Sequence, residues 1–439
     1  FKKRGVFMSE EMKIKRATYH LYTFMISKLT STFGAQVYTF AISFYILQLT
    51  GSAASFAMNL ICGILPRTIV GPFAGAIIDR YSKKMIVITA QIATTLTIAG
   101  LLIVTLTQGL SLIAIYVTTS ILSLTSTFSG IAFTSSITAL IDKARIQRAM
   151  SLNQMAVSFA SIGSPAVGGI LYGTVSIPVF LIIYIVASTI AVILESTMDF
   201  KLFAAVKDVV QEKKETMWQS MKAGLGYLKL QPTILVLMWL ALMVNFLFGA
   251  FEVGYSFILI EKLKMEAQHF GFTQGAFSLG MILMSVYFSI RKEIRFPMVV
   301  SKWGIITIGF IMASVSIPLV VGLSYGLVVV YYMILMFTFG SCIMVINTPL
   351  QVMLQKTIDD DYKGRVFSII ETMAMALTPI GMVLYGFLYD IFPAQWVLIV
   401  SAVFLVTFTL ILARPSVMRT VHPELGKEKE NKQVLKSVG

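Results

Sequence analysis

Between Tyr19 and Leu412 the chain returns twelve times to an apolar run long enough to cross a bilayer as a helix, interrupted mostly by short polar stretches. The runs cover approximately 19–48, 55–78, 85–108, 111–141, 151–173, 176–198, 234–260, 268–290, 298–321, 324–354, 366–389 and 394–413. A bilayer core needs roughly 20 apolar residues per helix, and a helix crosses it because it closes its own backbone hydrogen bonds where the solvent offers none. Strands of a transmembrane barrel alternate apolar and polar over about ten residues, and no run here alternates. An all-α integral membrane protein is therefore expected. With 57% of 439 residues hydrophobic and only 13% charged, the composition is far from that of a soluble globular chain.

The formal charge of +14 raises the question of a nucleic-acid partner, and the location of the charge answers it. If the N-terminus lies inside and the spans alternate, thirty of the 35 Lys and Arg fall in the internal segments. External loops hold only Lys262 and Lys264, and the spans hold Lys28, Arg67 and Lys302. That asymmetry follows the positive-inside rule. It sets an expected orientation with both termini cytoplasmic in the plasma membrane of a bacterial cell, and it leaves no need for a nucleic-acid partner. The two cysteines, Cys62 and Cys342, lie within spans and read as packing residues rather than a disulfide framework. No cleavable signal is expected ahead of the first span.

The expected organisation is a cytoplasmic N-terminal segment (1–18), six spans (19–198), a cytoplasmic linker (199–233), six more spans (234–413) and a cytoplasmic tail (414–439). In the linker, Met217, Met221, Leu225 and Leu228 fall at helical spacing, so part of it reads either as an amphipathic helix on the inner membrane face or as a solvated connection. The halves also resemble each other. "IDKARIQRAMS" (141–151) aligns without gaps to "IDDDYKGRVFS" (358–368), which pairs Asp142 with Asp359 and Arg148 with Arg365. "PAVGGILYG" (165–173) resembles "PIGMVLYG" (379–386) at the matching place in the second set of six. Two pseudo-symmetric six-helix bundles account for both matches.

The densest charge cluster follows the second span in "GPFAGAIIDRYSKK" (71–84). Gly71 and Gly75 lie one turn apart and are expected to let this span approach a neighbour closely. Asp79 stands where the helix leaves the lipid, followed by Arg80, Lys83 and Lys84. Positive-inside anchoring explains the basic residues but not the carboxylate, which is suited to bonding a helix N-terminus or an arginine. This stretch resembles the signature loop G-x-x-x-D-R-x-G-R/K-R/K of the major facilitator superfamily, with Ser82 where the second glycine stands. "FGAQVYTFAISFYILQLTGSA" (33–53), "LPRTIVGPFAGAIIDRYSKKMIV" (65–87) and "GRVFSIIETMAMALTPIG" (364–381) resemble its macrolide-efflux-like branch of drug:proton antiporters. The resemblance implies the twelve-helix major facilitator fold and a cytoplasmic gate. In that gate Asp79 would meet the start of the helix after Arg365, Arg80 would meet Asp142, and Arg148 would occupy the place of Arg365 in the repeat. "GSPAVGG" (163–169) resembles the superfamily's antiporter motif, with Ser164 in place of a glycine. Gly163, Pro165, Gly168 and Gly169 would then let the fifth helix bend, since proline removes a backbone hydrogen bond.

Ionisable groups within spans are functional candidates, because exposing them to lipid costs a few kcal/mol or more. Asn245, Gly249, Glu252 and Ser256 share one helical face and are expected to line a cavity in which Glu252 exchanges a proton or contacts substrate; the alternative is a carboxylate held by interhelical bonds. Lys28 begins a second stripe with Thr32, Ala35 and Thr39, and either snorkels to the inner interface or contacts substrate. Arg67, beside Pro66, is expected to face a cavity and to find an acidic partner. Glu371 is the candidate partner, or else a charge favoured at a helix N-terminus.

No phosphate-binding G-x-x-x-x-G-K-S/T loop occurs, and His20, His269 and His422 are widely separated. No catalytic residue, metal site or cofactor is expected, and the proton gradient is the expected source of energy. The expectation is a monomeric proton-coupled exporter of drug-like or amphipathic small molecules. The alternatives are an exporter of a lipid, siderophore or metabolite, and a membrane sensor or scaffold that does not transport.

Overall fold

The computed structural model describes residues 10–142, 145–200, 202–203, 232–291, 294–358 and 377–415, together with 226, 366, 369, 370 and 418. In chain order the helices are α1 (Glu10–Thr50), α2 (Ala53–Arg80), α3 (Lys83–Gln108), α4 (Leu112–Thr134), α5 (Ile137–Leu140), α6 (Ile146–Thr174) and α7 (Ile177–Thr197). They continue with α8 (Pro232–Phe257), α9 (Ala267–Ile290), α10 (Pro297–Ser314), α11 (Ile317–Val320), α12 (Tyr325–Thr357), α13 (Thr378–Ile391) and α14 (Ala394–Leu412). A π-helical stretch, Ile258–Lys262, extends α8. No strand occurs among the described residues. The linker segment around Met217–Leu228, Arg365 and Glu371 lie outside the described residues, as do the side chains of Gly75, Asp79, Arg80 and Arg148.

Ten of these helical segments are long and apolar enough to cross a bilayer. The other two spans are α1 and the one that contains α13. At 1.5 Å per residue the 41 residues of α1 measure about 60 Å, so the helix starts well before the lipid. Its first turns, "EEMKIKRATYH", are polar but rich in strong helix formers. Large apolar side chains stand exposed along the helices, among them Leu96 at 66%, Ile103 at 62% and Phe404 at 63%. In a membrane these face acyl chains rather than water.

The chain forms two compact units, one of residues 1–49, 58–210 and 266–271, the other of 50–57, 211–265 and 272–439. The division differs from a cut at the linker: the turn before α2 and its first residues group with the second unit, and the start of α9 with the first. In the first unit α3 packs between α4 and α7. Its core includes Leu21, Phe24, Ile78, Val87, Phe133 and Met198, with the Phe24 and Phe133 rings stacked at 4.8 Å. In the second unit α10 packs on α12 and α14, and α8 on α13 and α14. There Phe251 and Phe339 approach to 4.3 Å between ring centres.

Two of the expected spans are broken near one end. Helix α4 gives way to α5 at Ser135 and Ser136, and α10 gives way to α11 at Val315 and Ser316. At both breaks a serine hydroxyl turns back on its own helix, Ser136 Oγ to the Ala132 carbonyl and Ser316 Oγ to that of Ala313, each at 2.5 Å. Side chains from neighbouring helices donate to the carbonyls at these breaks. Lys83 Nζ bonds the Ser135 oxygen at 2.8 Å, while the hydroxyls of Tyr331 and Tyr332 bond those of Ser314 and Val315 at 2.7 and 2.6 Å.

Candidate functional site

A cavity of about 380 Å³ lies inside the first unit, within the size range of small-molecule sites. The stripe read from the sequence supplies one wall. Lys28, Thr32, Ala35 and Thr39 all line it, as residues three or four apart on one helix must share a face. Arg67 reaches the same cavity from α2, Gln91 and Thr94 from α3, Thr119 and Ser123 from α4, and Tyr184 and Glu195 from α7.

Most of these polar groups are tied to the scaffold. Gln91 donates to Ser188 Oγ at 2.9 Å, and that hydroxyl lies 2.7 Å from Thr95 Oγ1. The dense hydroxyls of α4 mainly join helices: Thr119 bonds the buried Asn59 at 2.9 Å, Ser123 the Gly63 carbonyl at 2.7 Å, and Thr125 pairs with Thr94 at 2.8 Å. Such bonds position α2, α3 and α4 around the cavity without charge.

The charged groups differ. Glu195, in the last turn of α7, is only 2% exposed. Ser27 Oγ donates to its Oε1 at 2.7 Å, and Oε2 has no hydrogen-bond partner among the described residues. Lys28 is close enough for its charge to act on Glu195. Among the described residues neither Lys28 nor Arg67 forms an ion pair. The cavity therefore brings two cations and one buried carboxyl together among helices joined around it by neutral groups. Glu195 was passed over in the sequence because it stands three residues from the end of its run, where a carboxylate reads as an interface charge. The signal that could have found it is its place at the end of an otherwise charge-free apolar run.

On α8, Glu252 is half-buried. Its expected face does not open as a whole onto a cavity. A Cβ at Gly249 would stand 3.0 Å from the backbone of Gly381 and Met382, Ser256 is buried, and the Asn245 amide bonds its own helix at Ala241. That side of α8 serves close packing on α13.

Of the expected gate residues, Lys83 and Lys84 are engaged within the first unit. Lys84 Nζ donates to the Ser196 and Met198 carbonyls, each at 2.8 Å, and so caps α7 much as Lys83 serves the end of α4. Asp142 accepts from Arg145 Nε at 2.6 Å, and the same guanidinium bonds Thr18 Oγ1 and the Ile14 carbonyl on α1. Arg145 was not singled out in the sequence. Gly71 does not mark a close approach, since among the described residues a Cβ there would meet nothing within 4 Å. A cation at a helix C-terminus contributes up to about 2 kcal/mol in a partly buried geometry. Replacing Lys84 with Met should thus lower the thermal midpoint of the purified protein in detergent by ~1 °C per kcal/mol lost. A midpoint equal to that of the unaltered protein would show the cap to be ornamental.

Along α6, Pro165 sits inside a helix that runs from Ile146 to Thr174. The motif glycines are sites of close approach. Gly163 faces Phe33, Gly168 faces Phe40, and a Cβ at Gly169 would stand 2.4 Å from the Ala267 carbonyl oxygen. Gly271 answers with a Cβ position 2.4 Å from the Pro165 oxygen.

The family described as "Transmembrane secretion effector", of the major facilitator superfamily, matches residues 17–435. The chain belongs to this family of transporters. Among relatives of this major facilitator chain, an uncharacterized MFS-type transporter, YfiS of Bacillus subtilis, is 26% identical over 89% of this chain and 90% of its own length. Macrolide efflux protein A of Streptococcus pyogenes is 22% identical over 84% and 89%, and the multidrug efflux pump Tap of Mycolicibacterium fortuitum 21% over the same shares. These place it in the macrolide-efflux-like branch. The fold is also that of a bacterial ferroportin homologue, at TM-score 0.67 and 13% identity over 90% of this chain and 98% of that one. For the nucleoside transporter NupG the values are 0.64 and 12%, over 90% and 99%. At such identities the likeness concerns the fold alone: twelve transmembrane helices in two pseudo-symmetric bundles.

Proposed function

We propose that this major facilitator protein is a proton-coupled exporter of amphipathic, drug-like molecules, working by alternating access in the bacterial plasma membrane with both termini in the cytoplasm. The observation that carries the reading is the polar cavity of the first unit, where a buried carboxyl with one unpartnered oxygen lies near Lys28 and which Arg67 also lines. A membrane protein that served only as a scaffold would have no reason to keep ionisable groups in such a place. The names of the macrolide and multidrug efflux relatives support export rather than uptake. Glu195 is assigned to proton exchange in the first unit and Glu252, the residue indicated by the sequence, in the second. Lys28 and Arg67 hold polar substituents of the substrate, and Glu371 is assigned as the acidic counterpart of Arg67. Asp79, Arg80, Asp142, Arg148 and Arg365 form the cytoplasmic gate. The energy source is the proton gradient, no cofactor takes part, and the partners are the substrate and the lipid, with the chain acting as a monomer.

The test is dye and macrolide accumulation in inside-out vesicles. Cells expressing the protein should yield vesicles that concentrate a lipophilic cation or a macrolide when respiration acidifies the lumen, and that lose this capacity when a protonophore collapses the gradient. Accumulation indifferent to the protonophore would refute proton coupling, and its absence for every amphipathic probe would refute drug export.

A further inference from the structure

A second cavity, of about 320 Å³, lies in the same unit among α1, α6 and α7. Its wall is almost wholly apolar, formed by residues such as Phe33, Val37, Phe159 and Ile183. Phe159 and Ile183 are 60% and 42% exposed, so the groove opens on a surface where acyl chains lie. One side chain borders both this groove and the polar cavity that holds Lys28 and Glu195: Tyr184. It is 6% exposed, and its ring lies against Gly34 of α1, where a Cβ would stand only 2.9 Å from Cε2. On the cavity side its ring centre is 5.7 Å from that of Tyr38. The absence of a side chain at Gly34 is what lets the ring fit between the two spaces.

We propose that Tyr184 is a side door through which an amphipathic molecule dissolved in the bilayer enters the polar cavity. The molecule lodges its apolar body in the groove, against the stacked Phe33 and Phe159 rings. Rotation of the Tyr184 ring then admits its polar end to the side where Lys28 and the unpartnered oxygen of Glu195 lie. The continuity of an apolar space with a charged one across a single ring selects this occupant, since a purely apolar chain gains nothing beyond the ring and a strongly polar solute gains nothing before it. The inference rests on the export reading for its biological direction, but the door itself is measurable without a gradient.

The measurement is binding kinetics of tritiated laurate, whose apolar chain fits the groove and whose carboxylate suits Lys28 and Arg67, to the purified full-length protein in lipid nanodiscs. Ala187, half-buried in the groove wall, is changed to Trp to fill the groove without touching the polar cavity. Because an obstructed path slows both directions alike, association and dissociation should each fall about tenfold in Ala187→Trp while Kd stays constant. Tyr184→Ala removes the door and should speed both. If Ala187→Trp lowers the number of binding sites through misfolding, Gly34→Ala, which presses on the same ring from α1, supplies the test instead. Unaltered rates in the obstructed variant overturn the proposal, as would be seen if the groove held only a resident lipid tail. Failure of gradient-driven efflux with these rate effects intact would remove the export reading and leave the door in place.

Discussion

Glu195→Gln should leave the protein folded and still able to exchange substrate at equal pH, yet unable to concentrate it against a gradient. Glutamine has nearly the shape of the protonated acid, and its carbonyl can still accept from Ser27, the bond that the carboxyl makes at 2.7 Å. Because that bond is retained, the loss in stability should stay below about 1 kcal/mol, the worth of one ordinary hydrogen bond. What glutamine cannot do is cycle between charged and neutral forms, so the coupling is lost rather than weakened. Proteoliposomes report both properties, with substrate accumulation under an imposed pH gradient set against counterflow without one. Glu252→Gln belongs in the same experiment, since the assignment gives each unit a carboxyl of its own. Full gradient-driven accumulation in Glu195→Gln would end its candidacy, and a selective loss in Glu252→Gln would move the coupling to the second unit.

The largest effect on folding is expected at Gly169 and Gly271. The Cβ of either residue, if present, would lie 2.4 Å from a carbonyl oxygen of the opposing segment, and backbone cannot swing aside as a side-chain tip can. Overpacking a core costs typically ~1–3 kcal/mol when side chains can adjust, and here they cannot, so Gly169→Leu should exceed that range. The expected result is little or no monodisperse protein on size-exclusion chromatography. Gly169→Ala should survive with a clearly lowered thermal midpoint. Gly100→Ala is the control, because a Cβ there meets nothing within 4 Å among the described residues. Equal yields for Gly169→Leu and Gly100→Ala would mean that the two segments part readily.

The spans were legible because the membrane imposes a length and a composition at once, and few other folds repeat a helix-long apolar run so often. Lys28 and Arg67 were legible for the same reason, since an ion in an apolar run is conspicuous. Glu195 was not, because a run's last turn tolerates charge and only the packing of α1 against α7 buries it. Gln91 and Asn59 are neutral and scarcely alter hydropathy, so their place beside the cavity depended on which neighbours their helices meet. The basic residues after α2 led to the expectation of an inner membrane face, but not of Lys83 and Lys84 each reaching for a carbonyl at a particular helix end. In "PAVGGILYG" and "PIGMVLYG" the glycines could be read as meaningful; their partners could not, since backbone contact leaves no complementary residue type to look for.

The two interrupted helices solve one hydrogen-bonding problem with different donors. After Thr134 an ammonium from Lys83 serves the stray carbonyl. After Ser314, at the end of α10 remote from Arg291 and Arg295, uncharged phenols from Tyr331 and Tyr332 do so. The choice of donor thus differs in charge between the two breaks, an ammonium at one and neutral phenols at the other. A lysine grafted in place of Tyr332, which is buried, would put a charge at a break now served by neutral groups alone.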